Sequence, residues 1–213
     1  MRTSTQKTRG AIRDVATEMF CARGYRTSTL EGIGAEVGLT RGSVLHHFSS
    51  KADLLAAVTE PYLRALDALL AAVEVTGSPT QDQRRQFVAA VVDLFVEHRG
   101  AMRLLANDVA ARQELNLTDK WITLRPRVIE ALFGVHATAS DEVRAAAAIG
   151  AVAHPVAGGW LDVDDREIRG ELVEAALRAA GAPDDAASGH DDAASAPDHA
   201  ASTSRLTTTA VAR

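Results

Sequence analysis

The chain has 213 residues, 46% of them hydrophobic but only 4% aromatic, and a formal net charge of -5. That length can bury one small and one larger core, and few aromatics beside abundant alanine favour close-packed helices over a strand-rich fold. No run reaches the length of a membrane span, the first residues lack the apolar segment of a secretory signal, and one cysteine excludes an internal disulfide framework, so a cytoplasmic protein without a membrane partner is expected.

In chain order, residues 1–8 are polar and are expected to fray. A first helix over 8–23 places Ile12, Val15, Ala16, Met19 and Phe20 on one stripe and ends at Gly24. Cys21 lies off that stripe and is read as incidental. Ser28 and Glu31 have the spacing of a capping box, which would open a short second helix running to Val37. Gly38 marks a turn, and Thr40 is a good cap for a third helix over 41–47. Val44 and Phe48 then face a core, leaving Gly42, Ser43, Leu45 and His46 outward with Arg41 and His47 on the flanks.

Two short helices joined at a glycine, the second presenting small, polar and basic groups, form a helix-turn-helix whose second member enters a DNA major groove. Charge agrees: residues 1–51 hold eight Lys/Arg against four Asp/Glu, or +4, leaving -9 for the remainder. Such a basic head on an acidic body directs one end of a molecule at phosphates. Base readout is assigned to Arg41, which can bond guanine in a bidentate manner, with Ser43 and His46. Gly42 lets the backbone approach closely. Thr29, Thr40 and Lys51, each at a helix start, are candidates for phosphate contact.

The residues Ile12, Ala16, Met19, Phe20, Gly24, Tyr25, Ser28, Thr29, Leu30, Ile33, Gly34, Val37, Gly38, Leu39, Thr40, Gly42, His47, Phe48, Lys51, Leu54 and Leu55 together resemble the N-terminal domain of the tetracycline-repressor (TetR) family of bacterial transcriptional regulators. The resemblance implies an all-α fold with an N-terminal three-helix helix-turn-helix domain, at 1–52, and a C-terminal helical domain for effector binding and dimerisation, at 53–181. It also implies that His47 contacts phosphate, although a histidine beside Phe48 can equally be packing. Leu45 departs from the pattern, where tyrosine is usual; a phosphate-binding hydroxyl is exchanged for an apolar contact of the kind a thymine methyl offers.

Beyond the head, a long helix from Ala52 to Val73 is expected to kink or restart near Glu60, because Pro61 removes a helix hydrogen bond. Thr80 should cap a helix over 81–98, Gly100 should break the chain, and 101–112 should form one helix. A further helix starting at Thr118 or Asp119 is expected to bend or divide at Pro126 and to close at Gly134. Ser140 opens an alanine-rich helix that Pro155 and Gly158–Gly159 are expected to terminate, and 165–180 supplies the last one. The resemblance implies that the final two helices pair with their copies in a homodimer, matching a palindromic double-stranded operator. From Gly181 the composition turns to Ala, Asp, Ser, Thr, Pro and His, as in a disordered tail at 182–213; its histidines and aspartates are read as solvated, with no metal and no cofactor expected.

Candidates for lining an effector pocket are Phe95, His98, Met102, Leu105, Trp121, Leu124, Phe133, His154 and Trp160, each also an ordinary core or interface residue. They point to an apolar or aromatic small molecule. No Walker loop, nucleophile elbow, zinc helix or paired-cysteine motif is present, so an enzyme is not expected. The sequence therefore reads as a DNA-binding, ligand-responsive transcriptional repressor; the alternative is an architectural DNA-binding protein with no effector and a body too well packed to admit one.

Overall fold

Among the residues described by the computed structural model, which are 2–73, 77–159 and 161–181 without the side chains of Arg2, Thr3 and Thr118, ten α-helices follow one another and there is no strand. They are α1 Arg2–Arg23, α2 Leu30–Glu36, α3 Arg41–His47, α4 Lys51–Ala71, α5 Gln81–Glu97, α6 Arg99–Asn107, α7 Val109–Glu114, α8 Leu117–Phe133, α9 Ala139–Gly158 and α10 Arg166–Ala179. Trp160 and the tail from 182, on which two expectations rest, lie outside the described residues.

Several boundaries differ from those expected. The first helix already starts at Arg2 instead of following a frayed arm. Pro61, Pro126 and Pro155 all lie inside continuous helices, so the chain neither restarts near Glu60 nor divides at Pro126, and α9 runs past Pro155 to end at Gly158, where the expected Gly158–Gly159 stop lies. An interior proline costs about 3 kcal/mol, but each large apolar side chain buried beside it returns about 1.5–3 kcal/mol. Val58, Tyr62 and Leu66 are buried around Pro61, and Val156 and Ala157 are buried just after Pro155, which leaves Gly159 to cap α9.

The chain breaks at His98 and Asp108 instead of at Gly100, which lies within α6. Asp108 adopts an extended backbone and caps α7 by accepting from the Ala111 amide at 2.9 Å, an alternative to continuing the helix. At Thr80 and Thr138 the capping boxes are complete, each hydroxyl accepting from the third helical residue and that residue's side chain returning to the cap.

Two apolar clusters organise these helices. In the head, Ile12, Phe20, Ile33, Val44, Phe48, Leu54 and Leu55 pack together, joined by Leu104 of α6 and Ala111 of α7. In the body, Tyr62, Leu66 and Leu70 of α4 pack with α5, α6, α8, α9 and α10. α4 therefore contributes its N-terminal half to one cluster and its C-terminal half to the other.

Candidate nucleic-acid interface

α3 is held by the turn before it. Gly38 has φ +69, the left-handed conformation that glycine tolerates, and the Leu39 amide returns to the Gly34 carbonyl at 2.7 Å. A side chain at Gly34 would bring its Cβ to 2.7 Å from the Leu39 carbonyl oxygen, so this helix must be bare where the turn folds over it. Thr40 then caps α3, its hydroxyl accepting from the Ser43 amide at 3.1 Å and standing 3.0 Å from the Ser43 hydroxyl. Val44 and Phe48 are sealed in the head core, while Arg41, Gly42 and His46 are exposed and Ser43, Leu45 and His47 are half-buried. α3 thus presents outward the face expected from its spacing.

α2 is capped differently from the expectation. Thr29, not Ser28, is its N-cap, accepting from the Gly32 amide at 3.0 Å. Ser28 is buried and donates to the Gly24 carbonyl at 2.8 Å, so no Ser28–Glu31 capping box forms.

Lys51 is also turned to a different task. Its ammonium donates to the carbonyls of Tyr25 (2.9 Å), Arg26 (3.2 Å) and Ser28 (3.0 Å) and sits 4.4 Å from the centre of the Tyr25 ring. An ammonium has three N–H donors, and these three carbonyls match them. The side chain fastens α4 to the loop between α1 and α2, leaving no donor for a direct phosphate grip.

Arg9, which no sequence signal singled out, lies over the Phe48 ring at 4.0 Å and donates to the His47 carbonyl, tying α1 to the end of α3. Beside α3 is an open concavity of about 420 Å³ whose walls include Arg26, Thr29, Arg41, Leu45, Ser49 and Ser50. Its lining contains no carboxylate.

The back of the head is bound to the body. Asp108 accepts from the Tyr25 amide at 2.6 Å as well as capping α7. Partial burial works against its ionisation, yet the amides of Tyr25, Ala111 and Ala110 and the charge of Arg112 together hold its carboxyl below the ordinary carboxylate range. Cys21 donates to the Gly100 carbonyl at 3.4 Å, and its burial outweighs the nearby Arg103 to push the thiol up.

The effector candidates are dispersed. Trp121 and Leu124 line one cavity of about 270 Å³ between α4, α8 and α9, whose other walls include Leu66, Leu70, Ile129 and Ala145. Arg125 and Glu142, paired with each other, stand at its exposed edge. Phe95 and His98 instead cluster with Tyr62, their ring centres 6.3 and 6.2 Å from it. Met102 and Leu105 are buried in the body core, Phe133 lies under the Arg144 guanidinium, and His154 is exposed on α9. Tyr62 was legible as a member of the Leu55, Val58, Leu66 stripe but was missed.

Comparison with known proteins places this geometry. Residues 12–58 match the family model described as bacterial regulatory proteins, tetR family. The transcriptional repressor KstR2 of Mycobacterium tuberculosis is 30% identical over 105 residues, covering 49% of this chain and 52% of that protein. The transcriptional activator FasR of Mycolicibacterium smegmatis is 31% identical over 111 residues, covering 50% of this chain and 49% of its own. The chain thus spans about half the length of these curated relatives. A tetR-family regulatory protein from Rhodococcus RHA1 superposes with a TM-score of 0.61 at 23% identity, covering 84% of this chain and 99% of that one. The structure of the ketosteroid transcriptional regulator KstR2 of Mycobacterium tuberculosis gives 0.63 at 16% identity, covering 82% of this chain and 93% of that one. The two superpositions are likenesses of fold.

Proposed function

We propose that this chain, which belongs to the tetR family of bacterial regulatory proteins, is a homodimeric, sequence-specific DNA-binding regulator of transcription. The observation that carries the proposal is α3 itself: capped at Thr40, anchored by Val44 and Phe48, and presenting Arg41, Gly42, Ser43, Leu45 and His46 to solvent. Arg41 reads guanine, Ser43 and His46 supply adaptable polar contacts, and Leu45 meets an apolar base edge. Thr29, Thr40 and His47 face backbone phosphates. The head is residues 1–52, the body 53–181.

Dimerisation is assigned to α9 and α10. On α9, Ala146, Ala147 and Gly150 are exposed, Val143 is 70% exposed, and a side chain at Gly150 or at Gly170 of α10 would meet nothing within 4 Å. Small residues let a second helix pair approach closely, and a two-fold dimer sets two recognition helices about 34 Å apart on a palindrome.

The effector enters the cavity between α4, α8 and α9. Its size is just under the usual range for small-molecule pockets, and its mostly apolar walls favour an apolar or aromatic ligand. α4 runs from this wall at Leu66 and Leu70 to the head at Leu54 and Leu55. A ligand that prefers one position of α4 shifts the spacing of the two heads by as much as its differential affinity for that position. The named relatives include both a repressor and an activator, so likeness does not give the sign of control. Repression by occluding a promoter, relieved by the effector, is the mechanism proposed; the cavity favours it over an architectural protein with a ligand-free body.

Selection of binding sites from a random duplex library with the full-length protein tests this. The expected product is one palindrome, whose preference relaxes at one base pair per half-site in Arg41→Ala. An unchanged preference in that variant would remove the base-reading role, and no enrichment at all would remove sequence-specific regulation.

A further inference from the structure

We propose that the notch beside α3 is a phosphodiester clamp in which Arg26, with the hydroxyls of Thr29, Ser49 and Ser50, grips the DNA backbone beside the base-reading Arg41, and that Lys51 is a structural staple with no phosphate contact of its own. The inference rests on the reading above that the head binds DNA.

Three observations converge on it. Arg26 and Arg41 are both exposed and line the same concavity of about 420 Å³, joined there by the hydroxyl-bearing Thr29, Ser49 and Ser50. No acid belongs to that lining, and no carboxylate lies within ion-pair distance of either guanidinium among the described residues.

Lys51, the expected phosphate ligand, also borders the notch, but its ammonium is engaged elsewhere. Its ammonium binds the Tyr25, Arg26 and Ser28 carbonyls, so it fixes the backbone from which the Arg26 side chain projects. The Arg26 guanidinium and several hydroxyls around an acid-free depression suit a tetrahedral, singly charged phosphodiester, because guanidinium offers paired donors to its oxygens. The contact adds affinity without reading sequence.

The test is binding of full-length protein to a random-sequence duplex, titrated from about 50 to 200 mM NaCl, where the slope of log K against log salt counts phosphates neutralised. Wild-type protein should show a steep slope; its absence would overturn the DNA-binding reading and the clamp with it. Given that slope, Arg26→Ala should flatten it by about 0.9 per bound subunit, Arg26→Lys should restore most of it, and Arg64→Ala should leave it unchanged. Lys51→Met should lower the melting temperature at an unaltered slope under conditions where it remains folded. An unchanged slope in Arg26→Ala, or a flattened one in folded Lys51→Met, would overturn the clamp. Titration with inorganic phosphate at matched ionic strength separates a free-anion site: a thermal shift lost in Arg26→Ala while the DNA slope stays put would assign the notch to a small anion and overturn the DNA role.

Discussion

The head and the body are built from the same kind of helix around an apolar cluster each, but their polar fastenings differ. In the head, polar groups act as staples: Lys51 takes three carbonyls, Arg9 spans α1 and α3, Ser28 closes the α1–α2 loop, and Asp108 holds that loop from outside. In the body, apolar and alanine faces are bridged at their edges by side-chain ion pairs, Arg85–Glu174, Lys120–Asp67, Arg125–Glu142 and Arg169–Asp93, of the exposed kind that contributes little, around an apolar cavity between α4, α8 and α9. A surface that must match a rigid duplex needs fixed geometry, whereas a surface that must yield to a ligand needs loosely specified packing. Under the proposed function, this contrast is what would let α4 couple the two.

The sharpest way to break the contrast is at the head core. Phe48→Ala, which empties a site buried under Arg9, should cost about 3–5 kcal/mol in chemical denaturation and abolish DNA binding. Asp108→Ala removes two amide acceptors at once and should cost about 1–3 kcal/mol, with faster hydrogen exchange at Tyr25 and Ala111.

One substitution made twice sharpens the contrast. Gly34→Ala pushes a Cβ against the Leu39 carbonyl and should destabilise by about 1–3 kcal/mol, while Gly150→Ala meets nothing and should stabilise the isolated subunit by up to about 1 kcal/mol. Loss of dimer in Gly150→Ala, read by sedimentation, would support the assignment of α9 to the interface.

The smallest expected effect is a pH dependence. Asp108 has its folded pKa below the unfolded value of about 3.9, so its contribution is present above that pH and is lost as pH falls through the folded value. Asp141, held down by the Thr138 amide and hydroxyl and by Arg144, acts with the same sign. Wild type must therefore be compared with Asp108→Asn, which should show a shallower loss of stability on acidification below about pH 4; equal slopes would show that Asp108 is not a charged latch.

Most of the head was legible in the sequence because its cues are local. Thr40, Val44 and Phe48 define α3 through capping and spacing alone, and its boundaries fall where that pattern puts them. Ser28 misled because two hydroxyls stand side by side and only tertiary packing decides that Thr29 caps while Ser28 is buried. Lys51 misled for a related reason: a lysine at a helix start is a phosphate ligand only if no carbonyls lie within its reach, and Tyr25, Arg26 and Ser28 are far away in sequence. In the body, the helices continue through their prolines where buried neighbours outweigh a lost hydrogen bond, and the effector candidates scattered because apolar spacing marks a core without saying where it is left unfilled. Asp108 carried an N-cap signal ahead of Val109 that a reading of apolar periodicity passed over.

The central claim is that two copies of α3 read one duplex. It is tested most directly by footprinting full-length protein on the duplex it selects, with the number of chains per duplex counted by sedimentation. Two symmetric protected half-sites about one helical turn apart, bound by two chains, are the predicted result. Protection that spreads along the DNA without a boundary, or one half-site filled by a single chain, would contradict it.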